Sequence, residues 1–141
     1  MRIRRLNHSV YQVLYHFVWG TKYRRKILKP YVRTELIKSL KNVQERFPDW
    51  YIQKINTAQD HIHLLCEIPP KYPLTKAVQI IKSESAAHLK KRFPFIKKME
   101  DSVWGTGFFV STIGINEDII KKYIQLQDKD DRGTDIQDEF S

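Results

Sequence analysis

The sequence predicts an α+β domain of ferredoxin-like, split βαβ plan: an antiparallel sheet with helices on one face, and an additional C-terminal helix bearing Tyr123. Three observations lead there. Segments rich in aromatic and β-branched residues alternate with segments of helical period in the order β-α-β-β-α-β-α. Proline stands at the edges of both long helical patterns. A run with a capping residue at Asn116 then closes the series.

The first strand is read from "NHSVYQVLYHFVWG", over about residues 8 to 19, where apolar residues alternate loosely. "TKYRRKILKP" is a basic connection that delivers Pro30 to the first turn of a helix, where its missing N–H costs nothing. Val32, Leu36, Leu40, Val43 and Phe47 recur at helical spacing until Pro48 stops them. "WYIQKINTA" and "HIHLLCEI" follow as an antiparallel pair joined by a short turn. Beyond "PPKYP", a second helix runs from about Thr75 to Arg92, with Ala77, Ile80, Ile81, Ala87 and Leu89 available for burial and Pro94 past its end. "VWGTGFFVSTIG" is a further strand segment broken by Gly105 and Gly107. In "INEDIIKKYIQLQ", Glu117 and Asp118 suit the positive end of a helix dipole, and Ile115 can staple onto Ile120.

A chain of 141 residues is expected to hold one domain over residues 1–127, followed by an acidic, flexible tail over 128–141. No apolar run approaches the roughly 20 residues that span a bilayer, and the basic start lacks a cleavable apolar stretch, so a cytoplasmic protein is expected. Cys66, the single cysteine, excludes an intrachain disulfide and reads as a small buried thiol. The charge is uneven. The tail carries six acids and two bases, so a net charge of +9 leaves +13 on the first 127 residues. Nine Lys and Arg precede Glu35, the first acid. Such a body attracts polyanions without regard to their sequence.

"QDHIHLLCEIP" places His61 and His63 two apart on a strand, hence on one face. Two neutral imidazoles can anchor a divalent cation. The tripeptide alone leaves that reading open against an ordinary strand. Asp60 can orient an imidazole or simply occupy a turn. Tyr123 and Gln127, four apart, share a helix face. Taken alone, the first is a packing residue and the second a surface residue. Beside a two-histidine site they become a nucleophile and an amide-oxygen ligand. His16 and His88 read as packing or surface histidines, and Trp19 and Trp104 as core residues.

Over roughly residues 8 to 128 the chain resembles transposases of the IS200/IS605 type, single-tyrosine members of the histidine-hydrophobic-histidine nucleases. The resemblance is carried by "YHFVWGTKYRRKIL", "DHIHLL", "IIKSESAAHL", "VWGTGFFVSTIG" and "IIKKYIQLQ", in that order. Phe108 stands where many relatives have a second tyrosine, which reads as a packing variation. The resemblance implies an enzyme that recognises subterminal hairpins in single-stranded DNA, then cleaves and rejoins element ends. It implies Mg²⁺ or Mn²⁺ held by His61, His63 and Gln127, with Tyr123 as the nucleophile that forms a 5′-phosphotyrosine. It also implies a homodimer in which the tyrosine helix of one subunit completes the site of the other. Gly114 could permit that helix to swing, or could equally be a turn glycine. Expected DNA contacts come from Arg2, Arg4, Arg5, Lys22, Arg24, Arg25 and Lys26, and from Lys82, Lys90 and Lys91. A domesticated nuclease that processes chromosomal repeats, or a non-catalytic ferredoxin-like RNA- or DNA-binding protein, is the alternative.

Overall fold

The structure is a computed structural model, which describes residues 4–6, 9–11, 14–112 and 124, the first two of these segments by backbone alone. A short hairpin of β1 (Arg4–Leu6) and β2 (Ser9–Tyr11) precedes the main sheet. The main sheet contains β3 (Tyr15–Gly20), β4 (Tyr51–Thr57), β5 (His61–Glu67) and β6 (Phe109–Ser111) in the order β4-β5-β3-β6, with every neighbour antiparallel. Helix α1 (Pro30–Arg46) joins β3 to β4, and α2 (Leu74–Arg92) lies between β5 and β6. This is the expected ferredoxin-like plan.

Strand alternation divides the sheet into two faces. Phe17, Trp19, Ile62, Leu64 and Cys66 turn toward the helices and are fully buried. They meet Val32, Leu36, Leu40 and Val43 of α1 and Ala77, Val78, Ile81 and Leu89 of α2 in one core. Burial pushes the Cys66 thiol up to about 12, which agrees with an inert core cysteine. His16, His61 and His63 point to the opposite face. Trp104 packs edge-on against Trp19 at 6.0 Å and donates its indole N–H to Ser85 Oγ at 3.0 Å, a core role. Phe108 meets Phe17 at 6.0 Å, as a packing variation should. His88 is tied to Glu35 at 3.0 Å across the two helices, and Glu35 also takes Arg92 at 3.1 Å.

Three details differ from the sequence reading. The segment read as one strand over about residues 8 to 19 is two, β2 and β3, because the chain leaves the first hairpin before entering the sheet. Pro94 does not merely follow α2: it opens a one-turn helix, α3 (Pro94–Lys97), as a first-turn proline can. The glycine-containing segment after α3 contributes only the three residues of β6 and a bridge between Trp104 and Thr21. The Asn116 cap, the Ile115–Ile120 staple, Gly114, Tyr123, Gln127 and the acidic tail lie outside the described residues; Ile124, within the expected last helix, is helical and buried.

Candidate active site

The site is built at the end of β5. Antiparallel pairing sets His61 opposite Gly20 and His63 opposite Val18. The direct cross-strand partner of His61 therefore carries no side chain. The two rings stand with centroids 5.0 Å apart. Each has its Nδ1 engaged. His61 Nδ1 donates to Asp60 Oδ1 at 2.8 Å, and His63 Nδ1 shares a hydrogen bond with His16 Nε2 at 3.1 Å. Among the described residues, neither Nε2 atom has a hydrogen-bond partner.

Behind Asp60 stands Arg24, whose Nε and Nη2 donate to Asp60 Oδ2 at 3.0 and 2.8 Å. Burial alone would raise the Asp60 carboxyl, but hydrogen bonds from His61 and Arg24, with the Arg24 charge, outweigh it and hold the group below its usual range. Asp60 is thus an anion that accepts from both sides. The turn that aims Arg24 is strained: Tyr23 and Arg24 have φ of 55° and 54°, in the left-handed region. Such residues cost on the order of 1–3 kcal/mol each and persist where their surroundings hold them. Here Thr21, fully buried, donates its N–H to the Asp60 carbonyl at 2.9 Å and its hydroxyl to the Arg25 carbonyl at 2.7 Å.

His63 is held neutral. Burial, then the charge of His61 and that of His16, lowers its pKa from 6.5 to about 4. Burial lowers His16 in the same direction. A neutral imidazole with an open Nε2 is the form that binds a metal. Among the described residues, no group of three or more His, Cys, Asp or Glu side chains is arranged to hold a metal.

The structure brings together two residues that the sequence did not assign to the site. His16, read as a packing or surface histidine, lies on the same face as His63, one diagonal step across the β3–β5 pair, and is hydrogen-bonded to it. Arg24, expected as a DNA contact, is occupied with Asp60. Of the other basic candidates, Arg25 lies over the Tyr23 ring and 3.6 Å from Asp101, and Lys22 also approaches that ring. Lys82 donates to the carbonyls of Gly105 and Gly107 at 2.7 and 3.0 Å, clasping the loop before β6 to α2. Lys26 and Lys91 are exposed, and Lys90 is partly so. Arg4 and Arg5 lie on β1 with only their backbone described; Arg2, Tyr123 and Gln127 are outside the described residues.

A split βαβ sheet with paired histidines on the face away from its helices and basic segments around it defines a class of nucleic-acid-processing domain. Comparison with known proteins narrows the class. Residues 9–127 match the family model described as "Transposase IS200 like". The chain is 30% identical over 132 residues to the transposase for insertion sequence element IS200 of Salmonella typhimurium, covering 90% of this chain and 84% of that one. It is 28% identical over 121 residues to the ISDra2 transposase TnpA of Deinococcus radiodurans, with 84% and 86% covered. A crystal structure of a Deinococcus radiodurans chain described as a transposase superposes with a TM-score of 0.80 at 25% identity, over 88% of this chain and 97% of that one. The REP-associated tyrosine transposase bound to a REP hairpin shares the fold at a TM-score of 0.55 and 16% identity, with 84% of this chain and 67% of that chain covered. The chain belongs to the IS200-like transposase family, and its activity is that of a DNA transposase. Among the described residues, no helix is long and apolar enough to cross a membrane.

Proposed function

We propose that this transposase is metal-dependent and acts on single-stranded DNA, cutting and rejoining element ends through a 5′-phosphotyrosine after recognising a nearby hairpin. The observation that carries the reading is the adjacent pair His61 and His63, each with Nδ1 engaged and Nε2 open. With Gln127 they would hold Mg²⁺ or Mn²⁺, which supplies Lewis-acid polarisation of the scissile phosphate. The Tyr123 oxygen attacks phosphorus, the bond from phosphorus to the 3′-oxygen breaks, and that oxygen leaves as a 3′-hydroxyl after taking a proton. The reverse attack by a 3′-hydroxyl restores a phosphodiester and frees the tyrosine. One phosphate ester replaces another at each step, so joining needs no external energy source.

A homodimer whose tyrosine helices complete the sites in trans, a catalytic unit of residues 1–127 with an acidic tail, and a cytoplasmic setting belong to the same reading. A hairpin is the ligand of the REP-associated relative. The insertion-sequence role is preferred to repeat processing because the relatives at 28–30% identity are insertion-sequence transposases. The test is direct. Single-stranded oligonucleotides with an element-end hairpin should yield a protein–DNA adduct that survives denaturing electrophoresis, appears with Mn²⁺ and disappears with a chelator. Tight binding with no adduct, or release of a free 5′-phosphate without one, overturns the mechanism.

The hydrogen bonds behind the pair set a second expectation. For His63 to present a lone pair at Nε2, its Nδ1–H must donate to His16 Nε2; likewise Asp60 fixes the tautomer of His61. Loss of such outer partners commonly costs 10–100-fold in metal affinity. Asp60→Ala and His16→Phe are each expected to weaken Mn²⁺ binding by about that factor, measured by calorimetry, and His16→Gln to recover most of it through its amide oxygen. Unchanged affinity in both would remove these residues from any role in orienting the pair.

A further inference from the structure

Three large hydrophobic side chains are exposed among the described residues: Tyr23, Tyr31 and Phe95. Tyr23 is already flanked by Lys22 and Arg25, whose charges lie 5.2 and 5.3 Å from its ring centre. The other two belong to one cluster. Tyr31, 58% exposed, lies 5.7 Å from Phe93 and 6.4 Å from Phe95, and Phe93 lies 6.0 Å from Phe95, which is 40% exposed. Tyr31 comes from the first turn of α1; Phe93 and Phe95 come from the end of α2 and from α3. Phe93 packs against the core from its inner side, whereas Tyr31 and Phe95 stand outside it.

The charge around the cluster is of one sign. The two segments that contribute the rings, residues 25–33 and 90–98, carry nine Lys and Arg and no Asp or Glu. Arg25 and Arg92 turn to Asp101 and Glu35, but no described acid pairs with the exposed Lys26, Lys91, Lys97 or Lys98. The cluster also begins at the edge that bears the histidines. Leu28 donates its N–H to the Gln59 carbonyl at 2.9 Å and Lys29 reaches the Gln59 side chain at 3.1 Å, so α1 starts beside the turn leading into His61. Exposed rings amid unpaired cations are what unpaired nucleotides require: a face for each base and charge for the phosphates.

We propose that Tyr31, Phe93 and Phe95 form a stacking platform for unpaired bases of the DNA strand that continues from the cleavage site over this edge. The platform rests on the reading of the chain as a single-strand DNA enzyme and assigns to that substrate a surface outside the histidine site. Lys97 and Lys98, beside Phe95, position the backbone, while the rings take bases with little regard to sequence.

The test uses a hairpin oligonucleotide with an unpaired flank containing 2-aminopurine, against full-length protein with Tyr123 intact. Binding should quench the flank's fluorescence. Tyr31→Ala combined with Phe95→Ala should abolish the quench and weaken binding at least about 5- to 150-fold, the range for the loss of a single base stack. Tyr31→Phe should keep both. Should the double variant fail to fold, Tyr31→Leu and Phe95→Leu, which keep the apolar contact and remove the aromatic face, carry the same test. An unquenched flank with wild type, or a double variant of unchanged affinity, overturns the platform. So does an equal loss on fully duplex DNA, or a variant that only shifts sedimentation of the protein, which would assign the rings to a second copy of the chain. Adduct formation is scored separately. Variants that bind and cut like wild type reject the platform alone, whereas a wild type that binds without forming an adduct rejects the cleavage mechanism alone.

Discussion

Tyr123→Phe is expected to bind hairpin DNA as tightly as the wild-type chain and to form no covalent adduct. The substitution removes one oxygen and keeps the ring, so whatever the ring packs against is retained. What goes is the atom that bonds to phosphorus. Removing the nucleophile of a covalent catalyst typically costs on the order of 10⁴-fold or more in turnover, with binding left largely intact. A phenol is a poor nucleophile near neutrality because its pKa is near 10, so the reaction depends on a cationic surrounding that favours the phenolate. The chain has seven tyrosines, and the structure names a rival: Tyr23, exposed on the turn whose next residue, Arg24, grips Asp60. Tyr23→Phe is therefore the matched control and should still form the adduct. Denaturing electrophoresis of labelled DNA reads both variants. An adduct that persists in Tyr123→Phe, or vanishes in Tyr23→Phe, moves the nucleophile away from the last helix.

The sheet and its two long helices were legible because their signals are local. Period-two alternation in "HIHLLCEI" separates Ile62, Leu64 and Cys66 from His61 and His63, and the burial pattern follows it residue by residue. Pro30 and the spacing of Val32, Leu36, Leu40 and Val43 set α1 in the same way. What stayed hidden depends on cross-strand register or on backbone shape. His16 meets His63 only because β3 pairs with β5 in one register; a slip of a single residue would turn His16 into the core. No local pattern states that register. The left-handed pair Tyr23 and Arg24 contains no glycine or asparagine to announce it, so the turn that swings Arg24 onto Asp60 looked like a stretch of DNA-binding charge. Sequence thus located the histidines and offered Asp60 as one of two readings, but missed His16 and Arg24.

That distinction sharpens what substitution of a histidine should do. His63→Ala is expected to weaken Mn²⁺ binding by more than the roughly 10–100-fold assigned to its outer partner, and to suppress adduct formation while leaving the fold in place. His63 faces away from the core and is only partly buried, so its loss opens no cavity beneath the helices. Its titration provides a second readout. Because burial, His61 and His16 hold it down to about 4 from 6.5, the unfolded chain takes up a proton at this position before the folded chain does. The linked stability is complete above about pH 6.5 and is lost as pH falls through about 4. In the wild type, stability measured by denaturant should therefore fall between about pH 7 and about pH 5, and His63→Ala should flatten that fall. The same neutrality means that, across the near-neutral range, protons do not compete with the cation for His63. An NMR titration in which His63 has its midpoint near 6.5, or a His63→Ala variant that binds Mn²⁺ like the wild type, would contradict a neutral, metal-binding His63 at the centre of the site.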